Sequence, residues 1–314
     1  METVGLDLGG TKILAALVTD DGDVVAEHRV PTPDTDAAAI VEALAGAAVA
    51  VAGGRSLVAV GVGAAGLVDA QGTVRYAPNV PALIEFPLAQ RLSDRLGMPV
   101  AVDNDANAAA WGEAIHGAAR GVDDVLVVTL GTGIGGGIIT GGRLYRGANG
   151  FAAEIGHFPV VDEGPACACG IDGHWEAMAS GTALGVFARR RAAQGDIPDV
   201  VDRAGGDPEA VTGEHVTASA LEGDPAAIAL VEDFAGVVAL GLAGLANILD
   251  PALVVIGGGL VTLGDTLLDP LRTEFRRLVE AGAHRPEIPV VAAELGERAG
   301  AIGAAALARG LVGA

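Results

Sequence analysis

The stretch VGLDLGGTKILAALV, residues 4–18, is two apolar runs broken at Gly9-Gly10-Thr11, and it has an echo: VLVVTLGTGIGGGIITGG, residues 125–142, again sets a Gly-Thr turn between apolar strands. A repeat of that kind predicts an internally duplicated chain in which each half opens on a strand–turn–strand. Around the first copy the pattern predicts strands at Val4–Leu8, Ile13–Val18 and Val24–Val30 as an antiparallel meander, the last break falling at Asp20-Asp21-Gly22-Asp23. Helices are expected at 36–52, 86–96 and 106–119, alternating with strands at 57–62 and 100–102, which is an α/β succession. Late in the chain, Leu253–Ile256 followed by Gly257-Gly258-Gly259 reads as a buried strand opening onto a helix, and 299–311 as a terminal helix. The division expected from this is a first α/β domain of residues 1–107 plus 297–314 and a larger second α/β domain of 108–296.

At 314 residues with 51% hydrophobic residues, the chain can bury two substantial cores. Its formal charge of −21 repels phosphate backbones and anionic lipid, so neither a nucleic acid nor a membrane surface is an expected partner. Between Asp196 and Asp233 ten carboxylates accompany the single Arg203, a pattern that reads as a solvated face. Lys12 is the only lysine; together with the acidity this permits a salt-adapted host. Met1 and Glu2 lead straight into Val4–Leu8 without a basic segment or cleavage site, which disfavours secretion and leads us to expect a cytoplasmic protein. The longest apolar window, 234–246, falls short of a bilayer span and reads as a buried helix.

Both glycine turns lack Cβ atoms where backbone N–H groups could approach an anion, and each carries a Thr hydroxyl: Gly9-Gly10-Thr11 and Gly131-Thr132-Gly133. One such turn is an ordinary hairpin; two, about 120 residues apart, suit a polyphosphate gripped from two domains. Neither is a Walker loop or a dinucleotide fingerprint. Asp7, two residues before the first turn, is placed to hold the Mg²⁺ of ATP, directly or through water, and Lys12 to add a positive charge. In Val100-Ala-Val-Asp-Asn-Asp-Ala-Asn107, Asp105 falls where a strand passes into an Ala-rich helix. It is therefore either a helix cap or the carboxylate that accepts a hydroxyl proton in phosphoryl transfer. The neighbouring Asp and Asn residues, and Asn79 on an earlier loop, offer donors and acceptors for a polyol.

Cys167 and Cys169 are too close for an unstrained disulfide. With His157 and His174 they lie within eighteen residues of Gly-rich loop, a donor set that suits structural Zn²⁺ and leaves no position for a catalytic water. Glu154 and Glu176 flank those ligands.

Taken together, DLGGTK (7–12), GAAGLVD (63–69), DNDANAAAWGE (103–113), LGTGIGGG (130–137), EIGH (154–157), CACGIDGHWE (167–176) and IGGG (256–259) resemble the ROK family of repressors and sugar kinases, and within it the bacterial-type glucokinases, over nearly the whole chain. The resemblance implies a two-domain actin-like ATPase fold of ribonuclease-H-like halves, with ATP and sugar meeting in an interdomain cleft. It implies Asp105 as the base; Asn79, Asn104, Glu154, His157 and Glu176 as sugar contacts; Gly257, Gly258 and Gly259 near the adenosine; and a homodimer or homotetramer. The expected reaction is transfer of the ATP γ-phosphate to the glucose 6-hydroxyl. N-acetylmannosamine, N-acetylglucosamine or fructose as acceptor, polyphosphate as donor, and a non-catalytic sugar-binding module are the alternatives. A sugar-sensing repressor of this family carries a helix-turn-helix before the first turn, for which Asp7 leaves no room. Two departures stand out: His174 where the family usually has Cys, and Ala153 where it usually has Gly.

Overall fold

The computed structural model describes residues 2–312. Strands β1 (Thr3–Leu8), β2 (Lys12–Val18) and β3 (Val24–Pro31) are followed by helix α1 (Ala37–Ala52), β4 (Val60–Ala64), a ribbon of β5 (Leu67–Val68) and β6 (Val74–Tyr76), α2 (Leu88–Leu96), β7 (Val100–Asn104) and α3 (Asp105–His116). The chain continues through β8 (Val125–Leu130), β9 (Ile134–Thr140), β10 (Arg143–Leu144), α4 (Trp175–Ala179), α5 (Gly181–Gln194), α6 (Pro198–Arg203), α7 (Gly213–Leu221) and α8 (Pro225–Leu249). It ends with β11 (Leu253–Gly257), α9 (Asp265–Leu278), β12 (Val290–Ala292) and α10 (Ala299–Arg309).

Two five-stranded sheets have the orders β3-β2-β1-β4-β7 and β10-β9-β8-β11-β12. Strand for strand these are the same arrangement, which is the duplication that the two Gly-Thr turns announce. In the first sheet β1, β2 and β3 form the antiparallel meander, while β4 and β7 add in parallel. Period-2 alternation then divides the meander between two cores. Val4, Leu6, Leu8, Ile13, Ala15 and Leu17 pack with Ile40 and Leu44 of α1, whereas Leu14, Ala16 and Val18 pack with Ala301, Ile302 and Ala305 of α10. With both faces covered, β1 and β2 read as near-continuous apolar runs, whereas β3 at the edge carries Glu27, His28 and Arg29.

On the second face, α10 lies almost directly on backbone. A Cβ on Gly5 would overlap the Ala301 carbonyl oxygen, one on Gly61 that of Ala304, and one on Gly303 that of Ala108 in α3. This packing decides where the compact units divide: one comprises Met1–Val125, Gly137–Ala153 and Glu294–Ala314, the other Leu126–Gly136 and Glu154–Ala293. A boundary after residue 107 would cut α3, which instead stays whole with α10. Glu113, buried in α3, holds the returning chain by accepting from the backbone N–H of Glu294 (3.1 Å) and Leu295 (2.9 Å), so the last segment joins at 294 rather than 297.

Within the second unit α8 packs against α9, α7 and α4. Among the described residues it is the one helix long and apolar enough to cross a membrane, at 25 residues, so the argument from a short apolar window does not hold. Its burial gives the better ground: Leu230, Phe234, Val238 and Leu242 are enclosed, and Gly241 makes room for the Trp175 indole. The strand Leu253–Gly257 passes first into a 3₁₀ turn, Gly259–Leu263, before α9 begins.

Candidate active site

Strand register brings two carboxylates of the first unit close together. Asp7 pairs with Gly63 of β4, and Gly63 with Asp103 of β7, so Asp7 at the end of β1 and Asp105 at the start of α3 lie one strand apart. Gly63 leaves the space: its Cβ would stand 3.0 Å from Ala108 Cβ and 3.3 Å from Asp105 Cα. Burial, then the negative charge of Asp105, push the Asp7 carboxyl up to about 6 against the opposing pull of Lys12. Burial likewise raises Asp105, opposed by hydrogen bonds that include the Ala106 N–H donating to Oδ1 at 2.9 Å. A carboxylate held above its ordinary range is what a proton acceptor working near neutrality needs.

The rival role for Asp105 goes to its neighbour. Asn104 is the N-cap of α3, its Oδ1 accepting from Asn107 N–H at 2.9 Å, while its Nδ2 donates to the Gly66 carbonyl at 3.0 Å. Asp103, expected from sequence to face a polyol, is instead buried and occupied: Oδ2 accepts from Arg146 Nε at 2.6 Å, and Oδ1 from Asn104 N–H and Asn107 Nδ2. Sequence reasoning missed Arg146 and Glu113. Arg146 carries no local motif, whereas Glu113 closes the DNDANAAAWGE segment, where its place on an Ala-rich helix is the signal of a buried clasp.

Each glycine turn is braced from within its own unit. In the first, Gly9 N–H donates to the Lys12 carbonyl (3.1 Å), Thr32 Oγ1 to the Gly9 carbonyl (2.8 Å) and Thr32 N–H to the Thr11 carbonyl (3.0 Å). Exposed Asn79 lies over this turn, its carbonyl oxygen 3.0 Å from where a Gly10 Cβ would be. Lys12 Nζ is at the surface, 3.7 Å from Glu297. In the second turn, Gly131 N–H donates to the Gly133 carbonyl (3.0 Å), Gly181 N–H to the Gly131 carbonyl (2.7 Å) and Thr182 Oγ1 to the Thr132 carbonyl (2.7 Å). Gly258, at φ +82°, presses its α-carbon on Leu130 just before Gly131, so Gly257, Gly258 and Gly259 adjoin this turn.

His157, Cys167, Cys169 and His174 converge in the second unit, their ligand atoms all within 4.8 Å of one another. Cys169 Sγ is 3.2 Å from His174 Nδ1 and Cys167 Sγ 3.6 Å from His157 Nδ1. The sulfur–nitrogen edge of a zinc tetrahedron is about 3.5 Å, given Zn–S and Zn–N bonds of about 2.3 and 2.0 Å, so the donors fit the ion. Burial pushes the Cys167 thiol up to about 11, and a thiolate there calls for a cation beside it. Both cysteines are free of disulfides. Glu154 is exposed immediately before this loop, after Ala153 at φ +71°. Glu176, the second residue after His174, places Oε1 3.5 Å from Cys167 Sγ and accepts from Ile134 N–H on Oε2 at 2.9 Å.

The ROK family model matches residues 3–310. A glucokinase of Streptomyces coelicolor is 46% identical over 310 residues, 98% of this chain and 97% of its own length. The glucokinase of Thermotoga maritima is 35% identical over 318 residues, covering 100% and 99%. Among solved structures, a ROK family glucokinase from Streptomyces griseus in complex with glucose and AMPPNP superposes with a TM-score of 0.89 at 44% identity, covering 99% of this chain and 100% of that one.

Proposed function

The chain belongs to the ROK family, and from that premise we propose that it is an ATP-dependent glucokinase that phosphorylates the 6-hydroxyl of glucose with Asp105 as general base. The observation that carries this reading is the division of labour at the strand–helix corner. Asn104 caps the helix, so Asp105, whose carboxyl burial holds above its ordinary range, is not needed as the cap. Phosphoryl transfer asks little more of a side chain than to take the hydroxyl proton while the phosphates are positioned and neutralised.

The first unit supplies Asp105, Asn104 and Asn79 toward the sugar and Gly9, Gly10, Thr11 and Lys12 toward phosphate. The second supplies Gly131, Thr132 and Gly133 toward phosphate, Gly257, Gly258 and Gly259 toward the adenosine, and Glu154, His157 and Glu176 toward the sugar. Asp7 is the residue that would hold Mg²⁺, whose charge screens the phosphates from the attacking oxygen. Zinc on His157, Cys167, Cys169 and His174 would hold the loop carrying the sugar contacts. The similarity to glucokinases supports glucose over N-acetylmannosamine, N-acetylglucosamine and fructose, and the AMPPNP complex of the S. griseus relative supports ATP over polyphosphate. We place the enzyme in the cytoplasm as a homodimer or homotetramer, which light scattering after gel filtration measures.

The test is a coupled ADP-release assay with these four sugars and both donors. Glucose with ATP is expected to give the highest kcat/KM; absence of sugar-stimulated ADP release would overturn the assignment.

A further inference from the structure

Glu176 does more than flank a metal ligand, because its two oxygens point at two different parts of the second unit. Oε1 lies 3.5 Å from Cys167 Sγ, inside the cysteine–histidine cluster. Oε2 accepts from Ile134 N–H at 2.9 Å, and Ile134 is the residue after Gly133 of the phosphate turn. A Cβ on Gly133 would overlap Oε2, so the carboxylate lies directly against the turn.

The same Ile134 is held from its other side. A Cβ on Gly156, the residue before His157, would overlap the Ile134 carbonyl oxygen, so the backbones meet with nothing between them. The two strands of the metal loop are themselves joined, Trp175 N–H donating to the Phe158 carbonyl at 3.1 Å and Pro159 bridging to His174. Both chemical faces of Ile134 therefore rest on residues within two positions of the cluster histidines, Gly156 before His157 and Glu176 after His174. The opposite flank of the turn rests on Gly181 and Thr182 at the start of α5.

We infer that Glu176 is a positioning residue that ties the cysteine–histidine loop to the Gly131–Gly133 turn, so that metal occupancy sets the affinity for nucleotide independently of sugar. The inference rests on the kinase reading, which assigns phosphate to that turn. A loop without its ion loses the ligand bonds that fix His157 and His174, and with them the alignment of Gly156 and Glu176 on Ile134. The bond at stake is charge-assisted and cannot be replaced in kind by water in a half-buried turn.

The experiment is calorimetric titration of Mg–AMPPNP, without sugar, into zinc-loaded and zinc-stripped protein, wild type and Glu176→Ala. Amide exchange at Ile134 is followed in parallel, with the β8 amides, which stay protected in any folded species, as the folding control. Stripping the wild type is expected to weaken AMPPNP by about tenfold and to deprotect Ile134. Glu176→Ala is expected to produce the same loss while zinc-loaded, and stripping it to add less than about twofold, since coupled contacts are non-additive. Glu176→Gln, which keeps an oxygen to accept from Ile134, should recover most of the affinity. Independent, multiplicative effects of stripping and substitution, or an unchanged AMPPNP affinity on stripping, would overturn the inference and leave the kinase standing. If the zinc-loaded wild type binds no AMPPNP, the kinase reading fails and this inference with it.

Discussion

Asp7 and Asp105 stand one strand apart at the carboxyl ends of β1 and β7, and the charge of Asp105 helps hold the Asp7 proton to about pH 6. Because the folded-state value lies above the ordinary 3.8, Asp7 contributes stability that is complete below about pH 4 and is lost as pH rises through about 6. Asp7→Asn is therefore expected to be more stable than wild type at pH 7, by roughly 3 kcal/mol, with the difference vanishing near pH 4. Urea unfolding of the nucleotide-free proteins at pH 4, 6 and 8 reads this directly; a pH-independent difference would show that the carboxyl ionises normally.

Catalysis and capping should separate at the next two positions. Asp105→Asn is expected to lower kcat by at least about 10²-fold, with glucose affinity largely kept and no loss of thermal stability. Asn104→Ala should cost about 1 kcal/mol through the lost cap. Steady-state kinetics with thermal melts on both variants checks the pair, and near-wild-type turnover by Asp105→Asn would remove it from the role of base.

Ala153 adopts φ +71°, a left-handed conformation that costs a residue with a Cβ about 1–2 kcal/mol. The glycine that the family resemblance leads one to expect here would adopt this conformation without that cost. Ala153→Gly is expected to stabilise the protein by about 1 kcal/mol in chemical unfolding; a destabilised variant would mean that the methyl group earns its place by packing.

Gly303→Ala puts a Cβ into the Ala108 carbonyl, where α10 crosses α3. A loss of about 3 kcal/mol or more is expected, or failure to accumulate as folded protein, because a backbone neighbour cannot move aside. An exposed control, Gly46→Ala, whose Cβ meets nothing within 4 Å, should be neutral or stabilising.

Purified protein is expected to carry about one zinc per chain, measurable by plasma emission. His174→Cys, which gives the cluster a third thiolate, should slow zinc loss to a chelator. Equal loss rates would indicate that His174 Nδ1, 3.2 Å from Cys169 Sγ, already serves as well.

The duplicated sheets were legible because a Gly-Thr turn between apolar strands imposes its own periodicity, and the four metal donors because their chemistry and spacing leave few other uses. Asp105 was legible only as one of two possibilities, since a cap and a base look alike in sequence; the Asn104 Oδ1 to Asn107 bond gives the cap to Asn104. Asp103 was misread for the same reason, a buried carboxylate and a ligand contact sharing one letter. Of the division between units, the return of the last helix to the first unit was legible but the allegiance of α3 was not, because Gly112 of α3 and Gly303 of α10 find each other across nearly two hundred residues.

The solitary Lys12 has a practical consequence. Apart from the amino terminus it is the one primary amine in this sequence, it is exposed, and it adjoins the Gly9-Gly10-Thr11 turn. Reductive methylation with ¹³C-formaldehyde would therefore mark two amines only, giving a spectrum in which one resonance reports on the residue beside that turn.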